Sequence, residues 1–132
     1  MIEILYQDDH YVAVNKRSGL VVHPTKLAPD AVAVLPSLRK QLDRYVYPVH
    51  RIDRGTSGIV VFGLSPDAAR QFGELMQARE VDKQYLAVLR GYADDVGRID
   101  YAIEDADKQN GRLDSVTDYW CERRVEIPYA VG

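Results

Sequence analysis

HRIDRGTSGIVVF, residues 50–62, changes from a polar turn to an apolar strand within a few residues. The polar part holds one carboxylate, Asp53, among two arginines, a histidine and two glycines. The following Ile, Val and Phe favour a buried strand, and a polar turn beside such a strand is where a rigid scaffold presents reactive groups. The cationic neighbours predict that Asp53 is ionised at neutral pH, which suits an acceptor or a nucleophile better than a proton donor.

Apolar alternation and short apolar runs predict the strands around this stretch. The predicted strands cover residues 2–6, 11–15, 20–23, 59–64, 83–89 and 115–120. Three of the six prolines fall within residues 24–36, which therefore predict a surface loop. The polar and acidic residues 92–113 predict a hairpin with a loop.

Two helices are predicted from apolar spacing and capping signals. Leu35, Leu38, Leu42 and Tyr45 share one helical face, which predicts a helix over residues 37–45. The sequence Ser-Pro-Asp at residues 65–67 predicts the start of a second helix, because Ser caps and Pro fits the first helical position. Together these elements predict an α+β fold, with helices packed on a mixed, mainly antiparallel sheet.

Composition bounds the class of protein. A chain of 132 residues is one domain or part of one, and the formal net charge of −3 argues against a general nucleic-acid binder. The charge is uneven, since residues 39–54 are mainly basic and residues 94–107 mainly acidic. The single cysteine, the lack of a long apolar run and the lack of a basic leader predict a cytoplasmic protein without a cysteine-based metal site.

Three segments resemble the RluA-type pseudouridine synthases, in the same order as in that family. HRIDRGTSG at residues 50–58 resembles the family's catalytic motif and is highly specific. NKRSGLVVHP at residues 15–24 and KQYLAVLRG at residues 83–91 resemble two further motifs that are weak when taken alone. The resemblance implies the catalytic-domain fold of these enzymes over residues 1–132, and an isomerisation of uridine in RNA that needs no cofactor and no metal.

The resemblance also implies roles for single residues. Asp53 matches the catalytic aspartate, Arg51 the arginine that replaces the flipped base, and Tyr85 the tyrosine that packs on it. From the residues alone, Asp53 also fits a turn paired with a neighbouring arginine, and Tyr85 also fits a core tyrosine. Lys83 is a candidate phosphate contact, although an ordinary surface lysine is the favoured interpretation.

The other candidate RNA-binding residues are His50, Arg54 and Thr56. For His50 a structural role in shaping the turn is favoured over RNA contact. The hydroxyls of Thr56 and Ser57 predict hydrogen bonds that brace the turn, and Gly55 and Gly58 permit close approach or a positive φ.

The sequence departs from the family pattern in two loop positions and after residue 127. Arg17 stands where the family usually has proline, and Gly55 stands where it often has proline or aspartate. Family members continue with a Gly-Arg-x-His-Gln-x-Arg-like segment, whose arginine is expected to pair with the catalytic aspartate. We therefore expect the chain to be the N-terminal part of a catalytic domain, with an incomplete sheet and doubtful activity on its own.

The predicted function is a pseudouridine synthase acting on structured RNA. The residues 3–8 and 63–65 resemble tRNA-acting members, which favours tRNA over ribosomal RNA as the partner. The alternatives are an enzyme for ribosomal RNA, a non-catalytic RNA-binding module or inactive fragment of the same fold, and a small hydrolase that uses Asp53.

Overall fold

The computed structural model describes residues 1–26, 28–104 and 111–128. Leu27 and residues 105–110, within the two predicted loops, lie outside the described residues. The chain forms two compact units, Met1–Lys83 and Gln84–Gly132. The first unit contains β1 (Glu3–Gln7), β2 (Tyr11–Lys16), α1 (Val34–Leu42), β3 (Tyr47–Pro48), β4 (Gly58–Gly63) and α2 (Pro66–Gln77). The second contains β5 (Val96–Asp100), β6 (Ile103–Glu104), β7 (Arg112–Leu113) and β8 (Val116–Trp120).

An antiparallel sheet of order β1-β2-β4-β3 organises the first unit. The pair β2–β4 runs in register from Tyr11 opposite Gly63 to Lys16 opposite Gly58. The predicted α+β class with a mainly antiparallel sheet is therefore confirmed. The end of β4 at Gly58 directly follows the Asp53 turn, so the sheet fixes the position of that turn.

The core lies on one face of this sheet, beneath α1. Alternate residues of β2 and β4 point to the same face, and they are buried together with the apolar side of α1 and three residues from the connecting segments. The buried set is Val12, Val14, Val22, Val34, Leu35, Leu38, Val46, Val60, Phe62 and Leu64. Burial of such side chains is the main stabilising term, at roughly 1.5–3 kcal/mol for each large one.

Helix α2 contacts the residues that alternate with the core residues. Its predicted start is confirmed, since the Ser65 hydroxyl accepts a hydrogen bond from the Ala68 N–H (3.1 Å) and Pro66 is the first helical residue. The Tyr11 hydroxyl donates to the Ala68 carbonyl (3.2 Å), and the Tyr11 ring packs on Phe72. Neither helix in the described part of the chain is long and apolar enough to cross a membrane.

The close approach of α2 to β4 depends on Gly63. A Cβ atom at this position would lie 2.8 Å from the backbone nitrogen of Ala69, and this helix backbone cannot move aside cheaply. We expect Gly63→Ala to lower the free energy of unfolding by about 1–3 kcal/mol, measured by urea denaturation.

Gly73 in α2 is the matched control, because a Cβ there meets nothing within 4 Å. Gly73→Ala is expected to raise stability by about 0.5–1 kcal/mol, since alanine loses less entropy in a helix. Equal effects of the two substitutions would contradict the assigned packing.

The second unit consists of two nested antiparallel pairs. β5 pairs with β8 from Val96 opposite Trp120 to Asp100 opposite Val116, and β6 pairs with β7 inside this ladder. The strand predicted over residues 115–120 is confirmed, and so is a hairpin within residues 92–113. Large apolar side chains remain exposed in this unit, among them Val88, Leu89, Tyr92 and Val96.

The strand predicted over residues 83–89 was wrong. Residues 83–90 contain neither helix nor strand, and Leu86 and Val88 are 88% and 98% exposed. Their β-branched and aromatic composition favours a strand, but a strand also needs a hydrogen-bonded neighbour. The described residues supply no neighbour to this segment.

Two further predictions needed correction. Residues 20–23 form only one bridge, with Val21 parallel to Ala33, although Val21 and Val22 are buried as expected. The first helix begins three residues earlier than predicted and ends at Leu42, because Asp43 adopts a left-handed conformation (φ 48°). Tyr45 therefore lies beyond the helix and is exposed.

Candidate active site

Asp53 lies in a tight turn at the surface. The Thr56 N–H donates a hydrogen bond to the Asp53 carbonyl (3.1 Å), and the side chains of Asp53 and Arg51 are exposed. Within the described ranges, the Asp53 carboxylate has no hydrogen-bond or ion-pair partner. The Asp53 carboxylate is therefore not paired with Arg51 or Arg54, which was the alternative left open by the sequence.

The segment after β2 packs directly on this turn. The Gly19 N–H donates to the Arg54 carbonyl (2.8 Å), and Arg54 Nε donates back to the Gly19 carbonyl (3.1 Å). The Ser18 hydroxyl donates to the Gly55 carbonyl (2.8 Å). Gly19 has a φ of +89°, which side chains rarely adopt, so glycine suits this contact. The two resembling segments at residues 15–24 and 50–58 therefore pack together as one structure.

Lys16 connects the two segments from inside. Its side chain is fully buried, and Nζ donates to the carbonyls of Leu20 (2.8 Å), Arg17 (3.2 Å) and Arg54 (3.4 Å). A buried ammonium group must be fully paired to be tolerated, and three carbonyls provide this. Lys16 thereby fixes the backbone of the residue that follows Asp53.

The environment of Lys16 also links it electrostatically to Asp53. Burial lowers the pKa of Lys16, and the nearby negative charge of Asp53 opposes this shift. Sequence reasoning missed Lys16 as a site residue. The available signal was its position two residues after Val14 in an alternating strand, which places a charge on the core face.

His50 uses its side chain to fix the start of the turn on β4. The Val61 N–H donates to His50 Nε2 (3.0 Å), and the imidazole stacks on the ring of Phe72 (centroids 6.2 Å apart). Burial lowers the pKa of His50, the positive charge of Lys83 lowers it further, and a hydrogen bond with the Arg51 backbone opposes both. A neutral imidazole follows, which is the form that can accept the Val61 hydrogen bond.

The lowered pKa of His50 makes stability depend on pH. Below about 6.5 the unfolded chain binds a proton that the folded chain does not, so stability is lost as the pH falls below that value. We expect His50→Gln to reduce the difference in unfolding free energy between pH 7.5 and pH 5, measured with urea. His10→Gln, at an exposed turn, is expected to keep the wild-type difference, and an unchanged profile in His50→Gln would contradict the assignment.

The predicted bracing of the turn by hydroxyl groups was wrong. Among the described residues, neither the Thr56 nor the Ser57 hydroxyl makes a hydrogen bond. Backbone groups, Ser18 and Lys16 hold the turn instead, because they reach its carbonyls directly. The prediction for the two glycines is confirmed for Gly58, whose φ is +134°, and wrong for Gly55, which has no positive φ and nothing within 4 Å of an added Cβ.

Tyr85 lies in the second unit and Asp53 in the first. The Tyr85 side chain is 64% exposed, so it is not the core tyrosine that the sequence also allowed. Lys83 is the last residue of the first unit and acts on the pKa of His50.

The arrangement offers an exposed carboxylate on a rigid turn. Three donors from the preceding motif hold the carbonyls of Arg54 and Gly55 within 2.8–3.4 Å, while the neighbouring carboxylate stays free to react. Within residues 1–26, 28–104 and 111–128, no group of three His, Cys, Asp or Glu side chains is placed to hold a metal ion. Such a carboxylate suits nucleophilic attack on an electrophilic carbon.

Comparison with known proteins gives a consistent result. The model of the family described as RNA pseudouridylate synthase matches residues 10–124. The tRNA pseudouridine synthase C of Haemophilus influenzae is 40% identical, with 100% of this chain and 59% of that protein covered. The protein of the same name from Vibrio vulnificus is 37% identical and is covered over 58% of its length. The chain thus spans somewhat more than half the length of these relatives.

A solved structure shows the same fold. Human RNA Pseudouridylate Synthase Domain Containing 4 superposes with a TM-score of 0.71 at 28% sequence identity. The superposition covers 89% of this chain and 52% of the human chain.

Proposed function

Because the chain belongs to the RNA pseudouridylate synthase family, we propose that its protein converts a specific uridine in structured RNA to pseudouridine. Asp53 is the nucleophile, and tRNA is the favoured substrate. The relatives from Haemophilus influenzae and Vibrio vulnificus carry the name tRNA pseudouridine synthase C, which supports tRNA over ribosomal RNA. A cytoplasmic location follows from this substrate and from the single cysteine.

One observation carries the assignment of Asp53. Its carboxylate is exposed and without a partner among the described residues, although the turn that bears it is held by Lys16, Ser18 and Gly19. A turn residue with only a structural role would use its carboxylate in that network. Here the backbone is fixed and the side chain is left available, which is the arrangement expected of a preorganised nucleophile.

The chemistry that this carboxylate supports is an isomerisation. Attack by Asp53 forms a covalent bond to the nucleoside and allows the N–C1′ bond to break. The base then turns and forms a C–C1′ bond, and the bond to Asp53 breaks, which regenerates the carboxylate. A proton leaves the new attachment carbon and a proton is taken up by the released nitrogen. No atoms or electrons are gained or lost, so the reaction requires no oxidant, metal or energy source.

Access to the uridine requires that the base leave the RNA stack, which costs a few kcal/mol. We assign Arg51 to the vacated position, because its guanidinium is exposed, planar and able to stack and to contact phosphate. Tyr85 supplies an exposed aromatic face for the target base, a contact that contributes roughly 1–3 kcal/mol. Arg54 donates one hydrogen bond, from Nε to the Gly19 carbonyl. Its other guanidinium nitrogens make no hydrogen bond with the described residues and are available to RNA. His50 supports the turn, and the Thr56 hydroxyl, which makes no hydrogen bond with the described residues, is assigned to RNA contact.

Mapping of pseudouridine in cells tests the proposal. We expect deletion of the full-length gene to remove the modification from one or a few uridines, in tRNA and not in ribosomal RNA. A plasmid copy of the gene is expected to restore it. If every uridine site keeps its modification in the deletion strain, the proposed activity is wrong; a loss confined to ribosomal RNA would correct the substrate.

A further inference from the structure

A second group of cationic and aromatic side chains lies between α1 and β3, away from the Asp53 turn. The Arg39 patch consists of Arg39, Lys40, Arg44, Tyr45 and Tyr47. The Arg39 guanidinium lies over the Tyr45 ring, 3.6 Å from its centroid, and the rings of Tyr45 and Tyr47 are 5.0 Å apart. The patch therefore has one guanidinium stacked on the Tyr45 ring, and the Tyr47 ring contacts Tyr45 at a tilt of 53°.

Backbone contacts fix this arrangement. Nε and Nη2 of Arg39 both donate to the Val46 carbonyl, at 3.2 and 2.9 Å, and Arg44 Nη2 donates to the Leu64 carbonyl (3.0 Å). The guanidinium groups of Arg39 and Arg44 are thus held in place before any ligand arrives, which lowers the entropy lost on binding.

The positive charges of the patch have no carboxylate partner among the described residues. Neither Arg39, Lys40 nor Arg44 forms an ion pair there, whereas the exposed Arg70, Arg98 and Arg124 all pair with carboxylates. Tyr45 is 59% exposed although Arg39 covers part of its ring. Cations without a carboxylate partner beside a largely exposed tyrosine are what single-stranded RNA binds, because it carries phosphates and unstacked bases.

The register of the sheet gives the location of the patch. Tyr47 lies opposite Gly63 at one end of β4, and the Asp53 turn leads into Gly58 at the other end. Five residue steps of about 3.3 Å separate these ends by roughly 17 Å. A ligand at the patch therefore lies outside the space of one flipped nucleotide.

We propose that the Arg39 patch is a second RNA-contacting surface, which binds unpaired nucleotides of the substrate RNA away from the target uridine. This rests on the proposed function for the class of ligand. Tyr45 stacks on a base, and Lys40 and Arg44 contact the adjoining phosphates. The patch adds affinity and selects RNAs with an accessible loop at this distance from the target.

Binding to unmodified tRNA transcript, measured by fluorescence anisotropy at several salt concentrations, tests the patch. We expect Tyr45→Ala to weaken binding about 5- to 100-fold, as for loss of one stacked base, and Tyr45→Phe to bind within about twofold of wild type. Lys40→Gln is expected to lower the salt dependence by about 0.7–0.9 in the slope of log K against log salt.

Arg70→Gln is the matched control, because it removes the same charge from an exposed helical arginine that pairs with Glu74 (2.7 Å). Wild-type binding by both Tyr45→Ala and Lys40→Gln, equal losses in Arg70→Gln, or a chain that does not bind the transcript would overturn the proposal. The anisotropy measurement reports binding and does not depend on turnover. RNA that binds through the patch but gains no pseudouridine would therefore contradict the proposed activity and leave the patch standing.

Discussion

Asp53→Asn is expected to abolish pseudouridine formation while RNA binding stays within about threefold of wild type. The amide has nearly the same shape as the carboxylate, but it is not a nucleophile at neutral pH. The Asp53 side chain makes no hydrogen bond to the described residues, so its replacement should not disturb the turn. We expect turnover to fall by more than about 1,000-fold, as for loss of an essential catalytic group. The full-length protein and an unmodified tRNA transcript provide the assay.

Asp9→Asn is the matched control for this substitution. Asp9 is an exposed aspartate in the turn between β1 and β2, and its carboxylate makes no hydrogen bond or ion pair with the described residues. Its turnover is expected to equal that of wild type. Wild-type turnover in Asp53→Asn would contradict the nucleophile, and lost binding with preserved turnover would show that Asp53 serves to hold RNA.

Lys16→Met is expected to lower both stability and turnover. Methionine fills a similar volume but leaves the carbonyls of Leu20, Arg17 and Arg54 without their donor in a buried site. Loss of these contacts should reduce the free energy of unfolding by about 2–4 kcal/mol, measured by urea denaturation. Under conditions where the variant remains folded, turnover is expected to fall by about 10–100-fold, because the backbone next to Asp53 is no longer held in place.

Lys26→Met controls for the loss of a lysine as such, since Lys26 is exposed in the loop before α1. Its stability is expected to change by no more than about 0.5 kcal/mol. A folded Lys16→Met protein with full turnover would show that the turn keeps its geometry without the ammonium group. The pair of variants at Lys16 and Asp53 thus separates support of the turn from the chemical step.

The first unit could be predicted well from its sequence because its signals are local. The alternation in β2, the apolar run of β4 and the Ser65 cap of α2 each depend on neighbouring residues, and the structure confirms these elements. The failures came where distant partners decide the outcome. Residues 83–89 have strand composition but no neighbouring strand within the described residues, and Tyr45 left the helix because Asp43 adopts a left-handed conformation.

The candidate site shows the same division. The sequence singled out Asp53, Arg51 and Tyr85 by residue type and resemblance, and their roles stay predictions. It did not show that Lys16 and Ser18 hold the turn, because these contacts join residues 37 or 38 positions apart. A lysine that continues the pattern of Val12 and Val14 was the one local indication of this contact.

The long sequence separation of these contacts sets an order of events during folding. Lys16 meets the Arg54 carbonyl across 38 residues, so a loop of that length must close before the turn acquires its shape. Closure occurs when β2 and β4 pair, which is a slow, non-local step. A nascent or partly unfolded chain therefore carries Asp53 on a disorganised segment until the central ladder has formed. The shape of the Asp53 turn and the central ladder are therefore gained and lost together.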